Sequence, residues 1–517
     1  MKSMKKLLIL PLLALGMAAC VEDEGNYFYT DLNEINVENI EDTYSVLSLV
    51  DRLQISPELT NTFGHDLSNF KFKWHLCDGA ISDPHTHRVI SEEKDLDWLV
   101  DLAPGSYNLY FFVTDLTTGI ENQYFTYVKV AHPQTRGFLI LGQLCEEDRV
   151  ALDMLSMPEM MDTIMVEETF DNSQLNLRNP QKLIYTGYYP TGSSAAAQTL
   201  YIMADDKSYR LNSGASFDII GEFNDLGLFD TDYTIERPAK MRDIFPHQGA
   251  NRCMSNSYRG YMTDDMVMVS NIMLGEYFVT PINRYSTADT KLFRPFQHVF
   301  CNTTSSYTPM VFYDMDNQRF GHYYPLGSTD PVCTPLPDRD TDPWKWEAGS
   351  EGRTIVYGED GLGVNRSYAL MKSDTDDYFI YTFALQSTAT ATTYNKQLFT
   401  IDKSVAVDFD KAAYYMFAHN RSSIFYAVGS RLYHYDYGRG YIDFYDFGDE
   451  ITYLEHDYCS NAKAAEYLIA TYSDTAKGKI YKMEITTSVD NVEFKFLPNQ
   501  EWNTRLKVKD MEWKYGV

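Results

Sequence analysis

From Gly137 onward the chain keeps returning to one short unit: an apolar strand, a tight polar turn, a second strand carrying tyrosine or leucine, and a polar return. Thr199 to Ala204 leads through a turn into Lys207 to Leu211, and Ser423 to Val428 leads through Gly429-Ser430 into Arg431 to Asp436 in the same way. Such paired strands, separated by turn residues, are the signature of β-hairpins. Further strands read at Gly137–Leu141, Met266–Ser270, Tyr277–Ile282, Met310–Asp314, Tyr378–Leu385, Leu398–Asp402, Ala413–Ala418, Tyr441–Phe447, Glu466–Tyr472, Lys479–Ile485 and Glu493–Leu497. No amphipathic helix longer than about three turns stands out. The fold class is therefore all-β. Tiling the segment at about 45 to 60 residues per unit gives six to eight repeats, which predicts a β-propeller of about seven blades. Two β-sandwiches or a solenoid are the alternatives; a solenoid would show a stricter, shorter period.

Ahead of this array, Ile35 to Ala131 reads as a smaller β unit. Phe70-Lys71-Phe72-Lys73-Trp74 alternates strictly. Tyr107 to Val113 follows the turn Pro104-Gly105-Ser106, and Tyr124 to Val130 follows a polar turn at Asp115 to Gly119. About 100 residues of short strands suit an immunoglobulin-like β-sandwich. His132-Pro133-Gln134-Thr135-Arg136 reads as a linker. The expected organisation is a leader over 1–19, a tether over 20–34, a sandwich over 35–132 and a propeller-like domain over 135–517.

The leader is legible from charge and hydropathy. Lys2, Lys5 and Lys6 precede the apolar run Leu7 to Leu15, and Gly16-Met17-Ala18-Ala19 places small residues before Cys20, the layout of a secretory signal. Cys20 in this setting resembles the lipobox of bacterial lipoproteins, which implies a diacylglyceryl thioether on Cys20 as the mature N-terminus. Glu22, Asp23 and Glu24 follow and resemble the acidic export signal of Bacteroidota lipoproteins that face the cell exterior. A net charge of −29 repels nucleic acid and anionic headgroups. No second apolar run is long enough to span a bilayer, so membrane attachment is expected through the lipid anchor alone. The remaining cysteines, Cys77, Cys145, Cys253, Cys301, Cys333 and Cys459, are scattered singly, which is neither a disulfide framework nor a zinc ribbon.

Pro104 to Tyr107, running on through Val113-Thr114-Asp115, resembles the closing hairpin of PKD-type immunoglobulin-like modules. Lys73-Trp74-His75-Leu76 stands where such modules carry their better known tryptophan-containing element. With the lipobox and the opening Gly137-Phe138-Leu139-Ile140-Leu141-Gly142, the chain resembles the PKD-like lipoproteins of Bacteroidota. That resemblance implies an outer-membrane location and a SusC/SusD-type import pair as partner.

Catalytic signatures are mostly absent: there is no His-Glu-x-x-His, nucleophile elbow, Walker A loop or dinucleotide fingerprint. A carboxylate pair at glycosidase separation is spatial, so sequence leaves it unlocated. His75, His85 and His87 lie close together but lack a fourth zinc ligand, and a polar surface loop is the simpler reading. Asp338, Asp340 and Asp342 alternate as calcium-loop carboxylates do; the glycine and glutamate of an EF-hand are missing, which leaves a looser structural calcium site as the one cofactor reading. Trp344 and Trp346 beside that loop, Tyr188-Tyr189 and Tyr323-Tyr324 before prolines offer flat rings for stacking on sugars or peptides. Together these features predict a surface-exposed accessory protein that binds peptide or glycan nutrients for the import system. A surface hydrolase and a structural scaffold of the importer complex are the alternatives.

Overall fold

The computed structural model describes residues 32–77, 87–158, 161–186, 199–205, 207–213, 217–223, 240–247, 258–271, 280–301, 310–325, 330–361, 364–385, 394–457, 460, 466–485 and 494–515. Two compact units divide between Val130 and Ala131, just before the His132-Pro133 step.

In the first unit, a five-stranded antiparallel sheet runs in the order Thr43–Leu47, Glu121–Ala131, Gly105–Asp115, Phe70–Cys77, His87–Ser91. Two small sheets accompany it, pairing Ile35–Glu38 with Glu58–Asn61 and Arg52–Ile55 with Leu96–Leu99. The alternation of Phe70 to Trp74 sends Phe70 and Trp74 inward, where Trp74 stacks on Phe111 with ring centroids 4.4 Å apart. Leu53, Ile55 and Leu96 from a small sheet share this core with Leu109, Val113 and Val128. The long hairpin closes at Asp115, whose buried carboxylate accepts hydrogen bonds from Thr117 N (2.8 Å), Thr117 Oγ1 (2.6 Å) and Asn33 Nδ2 (2.8 Å). Those donors hold the Asp115 carboxyl well below the usual carboxylate range.

In the second unit, seven antiparallel sheets of three or four strands follow one another among the described residues. Most are simple meanders in chain order, so each is built from local hairpins. The hairpins compared above form as read: Thr199–Ala204 pairs with Lys207–Asn212, and Ser423–Val428 with Arg431–Asp436. Of the strand read at Tyr277–Ile282, residues 277–279 lie outside the described residues, and Pro281 makes an isolated bridge to Met268. Proline lacks the N–H that a continuing ladder requires.

Neighbouring sheets pack face to face through shared apolar clusters. Ile184 and Tyr201 of the second sheet meet Ile244 and Tyr261 of the third. Phe245 and Met262 meet Met310 and Phe312 of the fourth. The pattern continues through Phe320 and Tyr381, Tyr368 and Phe417, and Phe425 and Ile469. Strands such as Thr199–Ala204 are buried at every position because both their faces are covered. The first sheet joins the two ends of the second unit. Lys507–Lys514 pairs with Gly137–Leu144, and one cluster unites Tyr453 and Leu468 of the seventh sheet with Leu139, Val508 and Leu183. The sheets thus close into a β-propeller-like ring whose last strand latches the first sheet, leaving no open edge between first and last. Among the described residues no helix is long and apolar enough to cross a membrane.

Candidate functional site

The innermost strands of the ring are Lys507–Lys514, Pro180–Tyr185, Met241–Phe245, Phe300–Cys301, Arg353–Asp360, Tyr414–Ala418 and Glu450–His456. Their side chains, with those of adjoining loops, enclose a cavity of about 600 Å³. Aromatic and apolar walls from Phe138, Phe245, Tyr415 and Trp513 alternate with ionisable groups, chiefly Lys182, His298, Glu359, Glu455, His456 and Asp510. A space of this size and mixed lining is typical of small-ligand sites.

On one side, Lys182 Nζ lies 2.7 Å from Asp243 Oδ1, and His247 Nε2 lies 2.9 Å and 3.0 Å from the two oxygens of the same carboxylate. Burial alone would raise the Asp243 carboxyl, but His247 and Lys182 outweigh it and hold the group well below its ordinary range. Asp510 accepts hydrogen bonds from Leu183 N (2.8 Å) and Met511 N (2.9 Å), and Glu455 accepts one from Tyr453 Oη (3.0 Å). Burial pushes Asp510 up to about 6 against the pull of Lys182. Burial, reinforced by the Asp510 charge, pushes Glu455 up to about 8. One cavity therefore holds a carboxyl that stays protonated near neutral pH and a lysine paired with a fully ionised one.

On another side, Glu359, His419 and His456 converge from the fifth, sixth and seventh sheets. Glu359 Oε1 lies 2.6 Å from His419 Nε2 and 3.4 Å from His456 Nε2, while Oε2 accepts from Phe417 N (2.8 Å) and Tyr357 Oη (3.0 Å). The two imidazoles stack with centroids 4.1 Å apart. Burial depresses them to about 3 for His419 and about 4 for His456, and it raises Glu359. Next to this group Gly358 is required by packing. A Cβ there would come within 2.8 Å of the His298 ring and 2.9 Å of the Phe300 ring, which lie against the bare backbone.

The residues singled out from sequence lie elsewhere. Cys20, Glu22, Asp23, Glu24, Tyr188 and Tyr189 lie outside the described residues, as do His85, Cys253 and Cys459. His75 is half-buried in the first unit, tilted against Phe112. Cys77, Cys301 and Cys333 are buried and Cys145 is half-buried.

Trp344 and Trp346 do not form an open aromatic platform. They are 0% and 1% exposed, Trp344 stacking on Tyr381 at 4.3 Å and Trp346 meeting Phe383 edge-on at 5.1 Å. Their faces are consumed by the core between the fourth and fifth sheets, which corrects the ligand-binding reading. Tyr323 packs against the Phe312 cluster and Tyr324 is half-buried; neither lines the cavity. The calcium reading of Asp338, Asp340 and Asp342 is corrected as well. Lys396 Nζ stands 3.2 Å from Asp338 Oδ1 and 2.9 Å from Asp342 Oδ2, while Asp340 points to solvent. An ammonium group already occupies the place a cation would take.

Sequence reasoning does not single out Lys182, His247, His298, Glu359, His419, Glu455, His456 or Asp510. The available signal was the polar residues interrupting short apolar runs at Glu450–His456 and Lys507–Lys514, which mark strands with one face on a wet channel.

Comparison with known proteins agrees with the N-terminal reading. Residues 20–173 match the PKD-like family. The matched stretch runs through the first unit and into the first sheet of the ring, and the rest of the chain lies outside it. No curated protein matches the sequence. Among solved structures, the chain is similar to a quinoprotein alcohol dehydrogenase-like protein from Bacteroides thetaiotaomicron, with 12% identity, a TM-score of 0.38, and 92% of this chain and 96% of that chain covered. It is also similar to the β-propeller domain of Cps50 (Swd1) from Myceliophthora thermophila, with 10% identity, a TM-score of 0.36, and 69% and 98% covered. PorZ, a surface component of the type-IX secretion system of Porphyromonas gingivalis, matches with 9% identity, a TM-score of 0.22, and 77% and 52% covered. Scores this low establish no shared fold, so the architecture stands on the strand pairing described above.

Proposed function

We propose that this protein is a lipid-anchored accessory component of a SusC/SusD-type outer-membrane import system, holding a peptide or glycan nutrient in the central cavity. The observation that carries the reading is the cavity itself: about 600 Å³, walled by inner strands around the ring, with aromatic surface beside ionisable groups. The seven sheets are read as seven propeller blades and the first unit as an immunoglobulin-like sandwich. Anchoring at Cys20 and export through Glu22, Asp23 and Glu24 are supported by the leader pattern and by the PKD-like match that begins at residue 20. The test is calorimetric titration of the purified chain with defined peptides and oligosaccharides, alongside pull-down from gently solubilised outer membranes. Lys182→Met should weaken capture per folded molecule at least about tenfold, as loss of a desolvated polar contact does, and should also lower the melting temperature because it strands the buried Asp243 carboxylate. Absence of binding to both ligand classes, or recovery of the protein with no importer, would count against the proposal.

A second reading, a surface hydrolase, is favoured by one specific feature. Glu455, held protonated near neutral pH, and Asp510, pushed up less far, both line the cavity as unequal carboxyls, as general acid and base pairs require. Hydrolysis of peptide or glycoside substrates that disappears in Glu455→Gln would promote this reading over the first.

A further inference from the structure

The cavity wall carries a chemistry that does not depend on what the cavity holds. We propose that Glu359, His419 and His456 form a binding site for a divalent transition-metal ion, best matched by zinc, with its remaining coordination position open to the central cavity.

Each of three consecutive sheets delivers one ligand to the same place. Glu359 lies in the inner strand Arg353–Asp360, His419 follows Tyr414–Ala418, and His456 ends Glu450–His456. Their donor atoms lie within 4.8 Å of one another. Zinc bonds to nitrogen and carboxylate oxygen are about 2.0–2.2 Å, and a tetrahedral angle then sets neighbouring donors about 3.4 Å apart. The separation of His456 Nε2 and Glu359 Oε1 is 3.4 Å, and that of His419 Nε2 and Glu359 Oε1 is 2.6 Å. One pair already has the spacing of a loaded site, and the other has to open by about 1 Å. The stacked rings present their Nε2 edges to the same oxygen.

The donor set also suits the ion chemically. Two imidazoles and one carboxylate are a borderline-soft set that favours zinc or copper over magnesium or calcium. The site is dry: the side chains of His419, His456 and Glu359 are 0%, 1% and 7% exposed. Binding would move the proton of each ring to Nδ1 and release the bond between His456 Nε2 and Phe417 O, now 2.7 Å. Glu359 Oε2 would keep Phe417 N and Tyr357 Oη as the outer partners that fix the carboxylate. Glu359 and His456 both line the cavity, so a fourth ligand would come from that side. Three protein ligands with one open position is the arrangement of zinc sites that bind or activate a ligand.

The test is titration of the chelator-treated full chain with Zn²⁺, and with Co²⁺ as a spectroscopic reporter, against a chromophoric competitor. The expected result is one ion per chain with micromolar or tighter affinity and a tetrahedral Co²⁺ spectrum. His456→Gln and Glu359→Gln should weaken binding by about 100-fold or more, beyond what outer-sphere changes usually cost. The Asp338→Asn, Asp342→Asn and the His85→Ala, His87→Ala double variants should bind as before. If the two ligand variants do not fold, X-ray absorption of the zinc-loaded native chain decides: two imidazoles in the coordination sphere support the site, and fewer overturn it. No binding in this range, or binding unchanged in the folded ligand variants, also overturns it. Nutrient capture by the metal-free protein is measured separately, so failure of this site leaves the proposed function standing.

Discussion

Lys396 Nζ lies 2.9 Å from Asp342 Oδ2 while standing 4.3 Å from the ring centroids of both Trp344 and Trp346. The lysine is 4% exposed and also donates to Trp344 O at 3.2 Å. An ammonium group, two carboxylates and two indole faces therefore form one closed cation site built from the chain itself. Lys396→Met should destabilise the protein by about 3 kcal/mol, because it strands two partly buried carboxylates. Urea unfolding measures this, and adding Asp342→Asn to Lys396→Met should recover part of the loss. Calcium should leave the melting temperature of the native chain unchanged; a rise would restore the calcium reading of this loop.

The pH dependence of stability should carry the mark of Glu455. Its folded-state pKa of about 8 lies above the value of an unfolded glutamate, so the folded protein binds the extra proton and loses stability as pH rises toward 8. His419 and His456 act in the opposite sense. Depressed to about 3 and about 4, they withdraw stability as pH falls below the range of a free histidine. Between about pH 6.5 and 7 the Glu455 effect dominates, at up to about 1.4 kcal/mol per pH unit, and toward pH 8 it is opposed by the Lys514 ammonium, which burial lowers to about 8. Glu455→Gln should flatten that limb in denaturant melts taken across the range. A native limb that is already flat would refute the elevated carboxyl.

Gly358→Ala should be costly although the backbone there is ordinary extended strand. The added methyl must displace the His298 or Phe300 ring. Overpacking of this kind costs about 1–3 kcal/mol, and the His298 ring lines the cavity, so ligand capture should weaken along with the melting temperature. Unchanged melting would mean the rings have room to move.

Trp344→Ala and Trp346→Ala should act on folding. Each empties a large volume in the core between the fourth and fifth sheets and should cost about 3–5 kcal/mol. Ligand affinity per folded molecule should not change. A variant that melts like the native chain but loses capture would return these rings to the binding site.

Removal of the chain from Lys507 onward should abolish cooperative unfolding. Lys507–Lys514 supplies the inner strand of the first sheet and pairs with Gly137–Leu144, so its loss opens the ring and bares a sheet edge. Circular dichroism melts and light scattering should show a broad transition and aggregation. A sharp melt would show that the ring closes without its latch.

The sequence by itself determined the strand-and-turn character of this protein. Hairpins such as Thr199–Ala204 with Lys207–Asn212 are local, and their apolar runs and turn residues lie within a dozen positions of one another. The division between Val130 and Ala131 lies beside the His132-Pro133 step, where the local pattern changes. The central site was not legible in this way. Its strands, Arg353–Asp360, Glu450–His456 and Lys507–Lys514, turn one face to a polar channel, so charged residues interrupt the alternation that marks a strand. Glu359 and His456 are nearly 100 residues apart, and only closure of the ring brings them to one carboxylate oxygen. The aromatic pair Trp344 and Trp346 shows the converse: adjacency in sequence suggested a surface, and tertiary packing made it core. Local chemistry chooses strands and turns, but burial and the meeting of distant ionisable groups belong to the closed ring, because only there is water excluded from both sides of a strand.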